Sequence, residues 1–180
     1  MKATGVVRRM DDLGRIVIPK EIRRTLMIRE GDSMEIYMGS EGEILLKKYS
    51  PIGQLSRFTE TFAKVLATQT EKIALLVDME NVIVAAGKDS HGFAEARLSE
   101  RMHGLLKERR FFVTQMGEKL FDIDLEKKVG AFASMVVPIV VQQEAMGALL
   151  LCAKEKEVFS DVDKALMQNG AKLLASQLET

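Results

Sequence analysis

Gly5-Val-Val-Arg8-Arg9-Met-Asp-Asp-Leu-Gly14-Arg15-Ile-Val-Ile-Pro19-Lys20-Glu-Ile22-Arg23-Arg24-Thr-Leu26 is the stretch on which the fold of this chain turns. Ile16, Val17 and Ile18 crowd the positions before Pro19, and β-branched runs favour an extended strand. Proline suits a first helical position, where its missing N–H would have had no intrahelical acceptor. A short helix is therefore expected from Pro19. Ile22 and Leu26 then fall four apart on one face, which turns Arg23 and Arg24 elsewhere. An arginine pair on a rigid element suits a polyanionic partner.

Whole-chain numbers conceal this. The 180 residues carry 26 basic and 26 acidic side chains, a net charge of zero. Residues 1–30 hold eight basic residues (Lys2, Arg8, Arg9, Arg15, Lys20, Arg23, Arg24, Arg29) against four acids (Asp11, Asp12, Glu21, Glu30). Residues 31–50 reverse the balance with two lysines and four acids, and residues 51–180 hold sixteen basic and eighteen acidic residues. A local excess is what a binding footprint requires. The competing reading is a solvated face of ion pairs, with Arg15 or Arg9 matched by Asp11 or Asp12.

Residues 1–50 read as a unit of their own: strand, strand, short helix, hairpin. Met34-Glu-Ile-Tyr-Met38 and Glu43-Ile-Leu-Leu-Lys47 are strand-like and joined by Gly39-Ser40-Glu41-Gly42, while Gly31-Asp32 marks the preceding turn. Domains near this size bury only about 60% of their chain surface. With no cysteine or metal-ligand set to staple it, the unit is expected to be at least a dimer. Association also doubles the arginines on one surface.

The Lys2-Ala-Thr-Gly-Val-Val-Arg-Arg9 opening, Asp12-Leu-Gly-Arg-Ile-Val-Ile-Pro19, Glu21-Ile-Arg-Arg-Thr-Leu26 and Glu43-Ile-Leu-Leu-Lys-Lys-Tyr49 together resemble the AbrB family of bacterial transition-state regulators. The resemblance implies a swapped-hairpin fold, in which two chains interleave strands into one dimeric β-barrel. It also implies double-stranded DNA as partner, gripped by Arg8, Arg15, Arg23 and Arg24, with Arg9 and Lys20 as helpers. Arginine chelates phosphates or grips guanine edges. No long recognition helix is present, so specificity is expected to lean on groove shape and deformability. Eight arginines per dimer imply a steep salt dependence, roughly −0.9 in slope per contact.

Tyr49-Ser-Pro-Ile-Gly-Gln breaks the pattern, and 51–56 is read as a linker to a second domain over 57–180. Leu55, Phe58, Phe62, Val65 and Leu66 repeat at three or four, which predicts an amphipathic helix serving as core, as a pairing seam, or as both. Ile73–Val77 and Val82–Ala85 read as buried strands around an Asp78–Asn81 turn, and Ala94–Arg109 as a helix. Ala131–Val141 and Ala145–Ala153 read as apolar strands, joined through Gln142-Gln143-Glu144. Ser160-Asp161-Val162-Asp163 signals the cap of a last helix. The fold class expected for the whole chain is α+β, its second part an α/β arrangement of sheet and helices.

That element order, with Val136-Val-Pro-Ile139 followed by Met146-Gly-Ala-Leu-Leu150, resembles a GAF sensory domain. An AbrB-type head joined to a GAF-like domain resembles a family of sporulation regulators. The resemblance implies a cytoplasmic, nucleoid-associated homotetramer, active in the forespore, with its two dimers held through GAF-like helices. It also implies an effector pocket between the sheet and residues 88–130, for which Phe93, Arg97, Phe112, Phe121, Phe132 and Ser134 are the candidates. Aromatic residues at such spacing are more often core, in which case the domain serves assembly alone.

Other classes fit poorly. His91 and His103 have no carboxylate or cysteine at ligand spacing, so no metal or cofactor is expected. Hydrolase, Walker-type and dinucleotide signatures are absent, and Asp78 and Glu80 read as turn formers; an enzyme is not expected. Cys152, the single cysteine, lies among Leu149, Leu150, Leu151 and Ala153 and reads as a buried thiol. No apolar run nears the ~20 residues that span a bilayer, and the N-terminus lacks a signal-peptide core. The alternative function is a protein-interaction module, since AbrB-fold relatives include antitoxins whose tails wrap a toxin. Such tails are polar and disordered until bound, whereas residues 51–180 carry enough apolar pattern for a folded core.

Overall fold

The computed structural model describes residues 5–26, 28–123, 133–153 and 159–179, and the chain divides into two compact units between Tyr49 and Ser50. In the first, helix α1 spans Lys20–Thr25. Pro19 is its N-cap rather than its first residue, and its carbonyl accepts from the Arg23 N–H at 2.9 Å. Strands β1 (Met34–Met38) and β2 (Ile44–Lys48) form an antiparallel hairpin with Met34 opposite Lys48 and Met38 opposite Ile44. Asp32 ties the hairpin base, accepting from the Arg29 N–H at 2.7 Å and pairing with the Lys48 ammonium at 2.9 Å. Burial alone would raise the Asp32 carboxyl, but the Arg29 hydrogen bond and the Lys48 charge outweigh it and hold it below its ordinary range.

The strand expected before Pro19 is not paired. Residues 15–19 join no ladder, and Ile16 and Val17 are exposed. A strand is completed by a neighbour that takes its backbone hydrogen bonds, and among the described residues this unit offers only the β1–β2 pair.

The second unit is built on a five-stranded antiparallel sheet in the order β4-β3-β7-β6-β5. Its strands are β3 (Ile73–Val77), β4 (Val82–Ala86), β5 (Phe112–Thr114), β6 (Ala133–Val141) and β7 (Glu144–Ala153). Alternation along β3 splits the core into two layers. Ala74 and Leu76 face a layer with Ala63, Leu66, Met167, Ala171 and Leu174 from helices α3 (Ser56–Thr70) and α5 (Asp161–Leu178). Ile73, Leu75 and Val77 face the opposite layer, where Phe93, Leu98, Phe121 and the buried face of α4 (Glu100–Glu108) pack. The helices α3 and α5 approach closely at Gly170, where an added Cβ would run into the Phe62 ring.

Several boundaries differ from the sequence reading. The stretch read as a linker is partly helical: α2 covers Pro51–Gln54, capped by Ser50, and Ile52 is buried in the core of the second unit. The helix read from Ala94 starts only at Glu100. Ser99 accepts from the Met102 N–H and caps it, while Val82 donates to Ala96 and Leu98 donates to Glu80, holding residues 94–98 against the 80–82 turn. Those backbone bonds outweigh helix propensity there. Gln142 and Gln143, at φ 48° and 68°, close a two-residue turn, so β7 begins at Glu144. The short strand β5 is not expected from the sequence reading: it is three residues long, and its place is set by pairing with Ser134–Val136 on β6. Ala131 lies outside the described residues.

The cap of α5 matches its sequence signal. Ser160 accepts from the Asp163 N–H at 3.0 Å, and Asp163 accepts from the Ser160 N–H at 2.9 Å. The same carboxylate, almost fully buried, meets the Lys72 ammonium at 3.3 Å. Asp163→Ala is expected to lower unfolding free energy by about 1–3 kcal/mol, since it removes a cap and leaves a mostly buried ammonium unmatched. Urea denaturation of the full chain checks this, and a loss under half a kcal/mol would make the pair dispensable.

Candidate nucleic-acid interface

The six basic residues read from the sequence are all exposed. Arg8 and Arg9 lie on an irregular segment, where an Arg8 Nη1 donates to the Val7 carbonyl at 3.0 Å. The Asp11–Arg15 turn follows. Asp11 donates its N–H to the Arg15 carbonyl, and its Oδ1 accepts from the N–H groups of Leu13 and Arg15 at 3.0 and 2.8 Å. The Arg15 Nε donates to Asp11 Oδ2 at 2.8 Å. Hydrogen bonds from the Arg15 backbone and then its guanidinium hold the Asp11 carboxyl below its ordinary range. Gly14 sits at φ +74°, a conformation that a side chain would strain, which is what lets the loop close.

The competing ion-pair reading is therefore realised at Arg15, but only through one edge of its guanidinium. Its side chain remains 71% exposed, and a guanidinium carries five donors. Asp11 fixes where the group projects without covering it. Lys20, Arg23 and Arg24 share the six-residue α1, with both arginines in its last turn. Cations there also complement the helix dipole, a modest effect at an exposed site.

The effector candidates lie elsewhere, in the second unit. Phe93 and Phe121 pack edge to face, centroids 5.4 Å apart, inside the core layer beneath α4. Ser134 is buried on β6, its hydroxyl 3.4 Å from the Cys152 thiol and its backbone bonded to the Thr114 hydroxyl. Phe112 is half-buried on β5 under the Arg110 guanidinium. Arg97 bridges to Asn81, and its carbonyl accepts from the Asp122 N–H. The structure thus brings Phe93, Phe121 and the half-buried Phe112 to one core layer, and leaves Arg97 on the segment that bridges to Asn81. Phe132 lies outside the described residues.

Burial pushes the Cys152 thiol up to about 12. Native protein is expected to resist a thiol reagent at pH 8 and to react fully on unfolding; labelling of the native form at a free-thiol rate would contradict its placement. Among the described residues no group of three His, Cys, Asp or Glu side chains is placed to hold a metal ion. None of the described helices is long and apolar enough to cross a membrane.

Sequence reasoning did not single out a basic cleft on the second unit, where Lys64, Thr68 and Lys72 meet Gly87 and Lys88. Its signal was available as Lys64 and Thr68, four apart on α3, with Lys72 just past the end of that helix.

Residues 54–179 match the family model "Stage V sporulation protein T C-terminal, transcription factor", and residues 7–54 match "Antidote-toxin recognition MazE, bacterial antitoxin". The chain is 35% identical to stage V sporulation protein T of Bacillus subtilis over 99% of both sequences. It is 61% identical to the transition state regulatory protein AbrB of the same organism over 51 residues, 28% of this chain and 52% of that one. Among solved structures, a GAF domain/HD domain protein from Geobacter sulfurreducens matches with a TM-score of 0.55 at 16% identity, covering 69% of this chain and 92% of that one, a likeness of fold. A head like that of AbrB, a GAF-like second unit and near-complete coverage lead to one conclusion: the chain belongs to the stage V sporulation protein T family of transcription factors, and is a regulator rather than an enzyme.

Proposed function

We propose that this regulator of sporulation genes grips double-stranded DNA through Arg8, Arg15, Arg23 and Arg24, with Arg9 and Lys20 assisting. The observation that carries the reading is the character of the first unit. It exposes all six of these side chains and, among its described residues, buries only Pro19. Val7, Met38 and Ile36 are 84%, 91% and 67% exposed. A head with so little interior needs apolar cover, and a second copy supplies it in the swapped-hairpin arrangement while doubling the basic groups.

The second unit serves assembly. Phe58 and Val65 on α3, and Val162, Leu166 and Leu173 on α5, are apolar and exposed, as expected of helices that join two dimers into a tetramer. Effector binding at Phe93, Arg97, Phe112, Phe121, Phe132 or Ser134 would require the Phe93–Phe121 contact to open. We assign the site of action to the cytoplasmic nucleoid, in the forespore of a sporulating cell.

The test is fluorescence anisotropy of full-length protein on a labelled duplex across a salt series. Six to ten phosphate contacts predict a fall in affinity of about 10³–10⁵ between 50 and 200 mM salt. Weak binding with a flat salt response would favour the second reading, supported by the antitoxin-type match of residues 7–54: a head that contacts a protein partner.

A further inference from the structure

Outside the DNA-facing head, the second unit holds a cleft of about 520 Å³ between α3 and the edge strand β4. Lys64 and Thr68 form one wall along α3, Glu71 is the left-handed residue that ends that helix, and Lys88 stands on the loop that leaves β4. Gly87 leaves the floor low. It sits at φ +108°, and a Cβ there would lie 2.8 Å from the Lys72 carbonyl, so no other residue fits without shifting the backbone. Lys72, whose side chain is 13% exposed, is held from behind: its ammonium donates to the Thr70 carbonyl at 3.2 Å and meets Asp163 at 3.3 Å. An ammonium has three donors, so one remains beyond these two partners.

We propose that this cleft binds a small multivalent organic anion of the phosphate-ester class. The charges decide the class. Three lysines line the cleft against one carboxylate, Glu71. Two of them are shared: Lys64 lies 3.8 Å from Glu60, and Lys72 holds Asp163. Lys88 has no such partner among the described residues. A monoanion would gain one ammonium and face Glu71. A ligand with two or more negative charges spans Lys88 and Lys64 together and reaches the remaining donor of Lys72. The Thr68 hydroxyl donates to the Lys64 carbonyl at 2.9 Å, which leaves its oxygen as an acceptor for a ligand hydroxyl. The cleft lies on the α3 side of the sheet, whereas Phe93 and Phe121 belong to the opposite layer. Because Lys72 also holds the carboxylate that caps α5, occupancy touches one of the two helices that carry the exposed apolar residues.

The experiment uses full-length protein carrying Arg8→Ala, Arg15→Ala, Arg23→Ala and Arg24→Ala, so that anion binding at the head does not contribute. Pyrophosphate is titrated calorimetrically at fixed ionic strength, with chloride as the control anion. Lys64→Ala with Lys88→Ala is expected to weaken binding about tenfold or more. Glu71→Gln is expected to tighten it several-fold, an increase that general loss of structure would not produce. Equal affinity in all three proteins, or no heat at about 10 mM pyrophosphate, would overturn the proposal, since a Kd beyond that range gives under 3 kcal/mol of binding. With the head arginines intact, the lysine variant should keep its DNA affinity; a matching loss there would make the cleft a nucleic-acid contact instead.

Discussion

Removing Arg8, Arg15, Arg23 and Arg24 together by alanine substitution is expected to cost at least about 10³ in duplex DNA affinity near physiological salt. The magnitude follows from counting. Four contacts per chain become eight in a dimer, and each neutralised phosphate contributes roughly 0.9 to the slope of log affinity against log salt. The variant should therefore lose about seven units of slope along with its affinity. A structural role for these side chains would give a different pattern. All four are exposed, and the Asp11–Arg15 turn keeps its backbone bonds to the Asp11 carboxylate when the guanidinium is gone. Circular dichroism and sedimentation should thus remain those of the parent. Unchanged affinity and slope in a folded, associated variant would move the DNA surface elsewhere.

The second large effect is expected at Phe93, which is 1% exposed and packs edge to face on Phe121. Phe93→Ala deletes a ring at the centre of the layer beneath α4, where Leu98, Met102 and Leu106 close around it. Buried Phe→Ala substitutions cost about 3–5 kcal/mol through lost transfer energy and an unfilled cavity. For a unit of this size, that lowers Tm by roughly 10 °C or more. A near-neutral substitution would mean that the site is already open. It would then restore the ligand reading of Phe93 and Phe121 against the core reading.

The helix α5 and the strands β3, β4, β6 and β7 were legible because their signals are local: a Ser–Asp cap, and apolar runs bounded by turn residues. The basic head was legible for the same reason, with charge concentrated in one phrase. Less visible were features that depend on distant partners. The strand expected before Pro19 has the composition of a strand but no neighbour among the described residues of its own unit. Residues 94–98 read as helix until the backbone of residues 80–82 took their hydrogen bonds. Phe93 and Ser134 read equally as lining or as core, since periodicity reports burial and not whether a void lies beside it. The lysine cleft joins α3 to a glycine seventeen residues beyond its last residue, a proximity set by the β3–β4 hairpin.

The first unit's near-absence of interior has a consequence for timing. If its apolar cover comes from a second copy, folding of the head and encounter of two chains are one equilibrium. While copies are scarce, the number of DNA-competent heads then rises with the square of chain concentration rather than in proportion to it. Early transcripts would yield mostly unpaired heads, open to proteases. Genes under this regulator would therefore respond little to leaky expression and sharply once synthesis passes a threshold. A weak interior, a liability for thermal stability, becomes a filter against switching too soon.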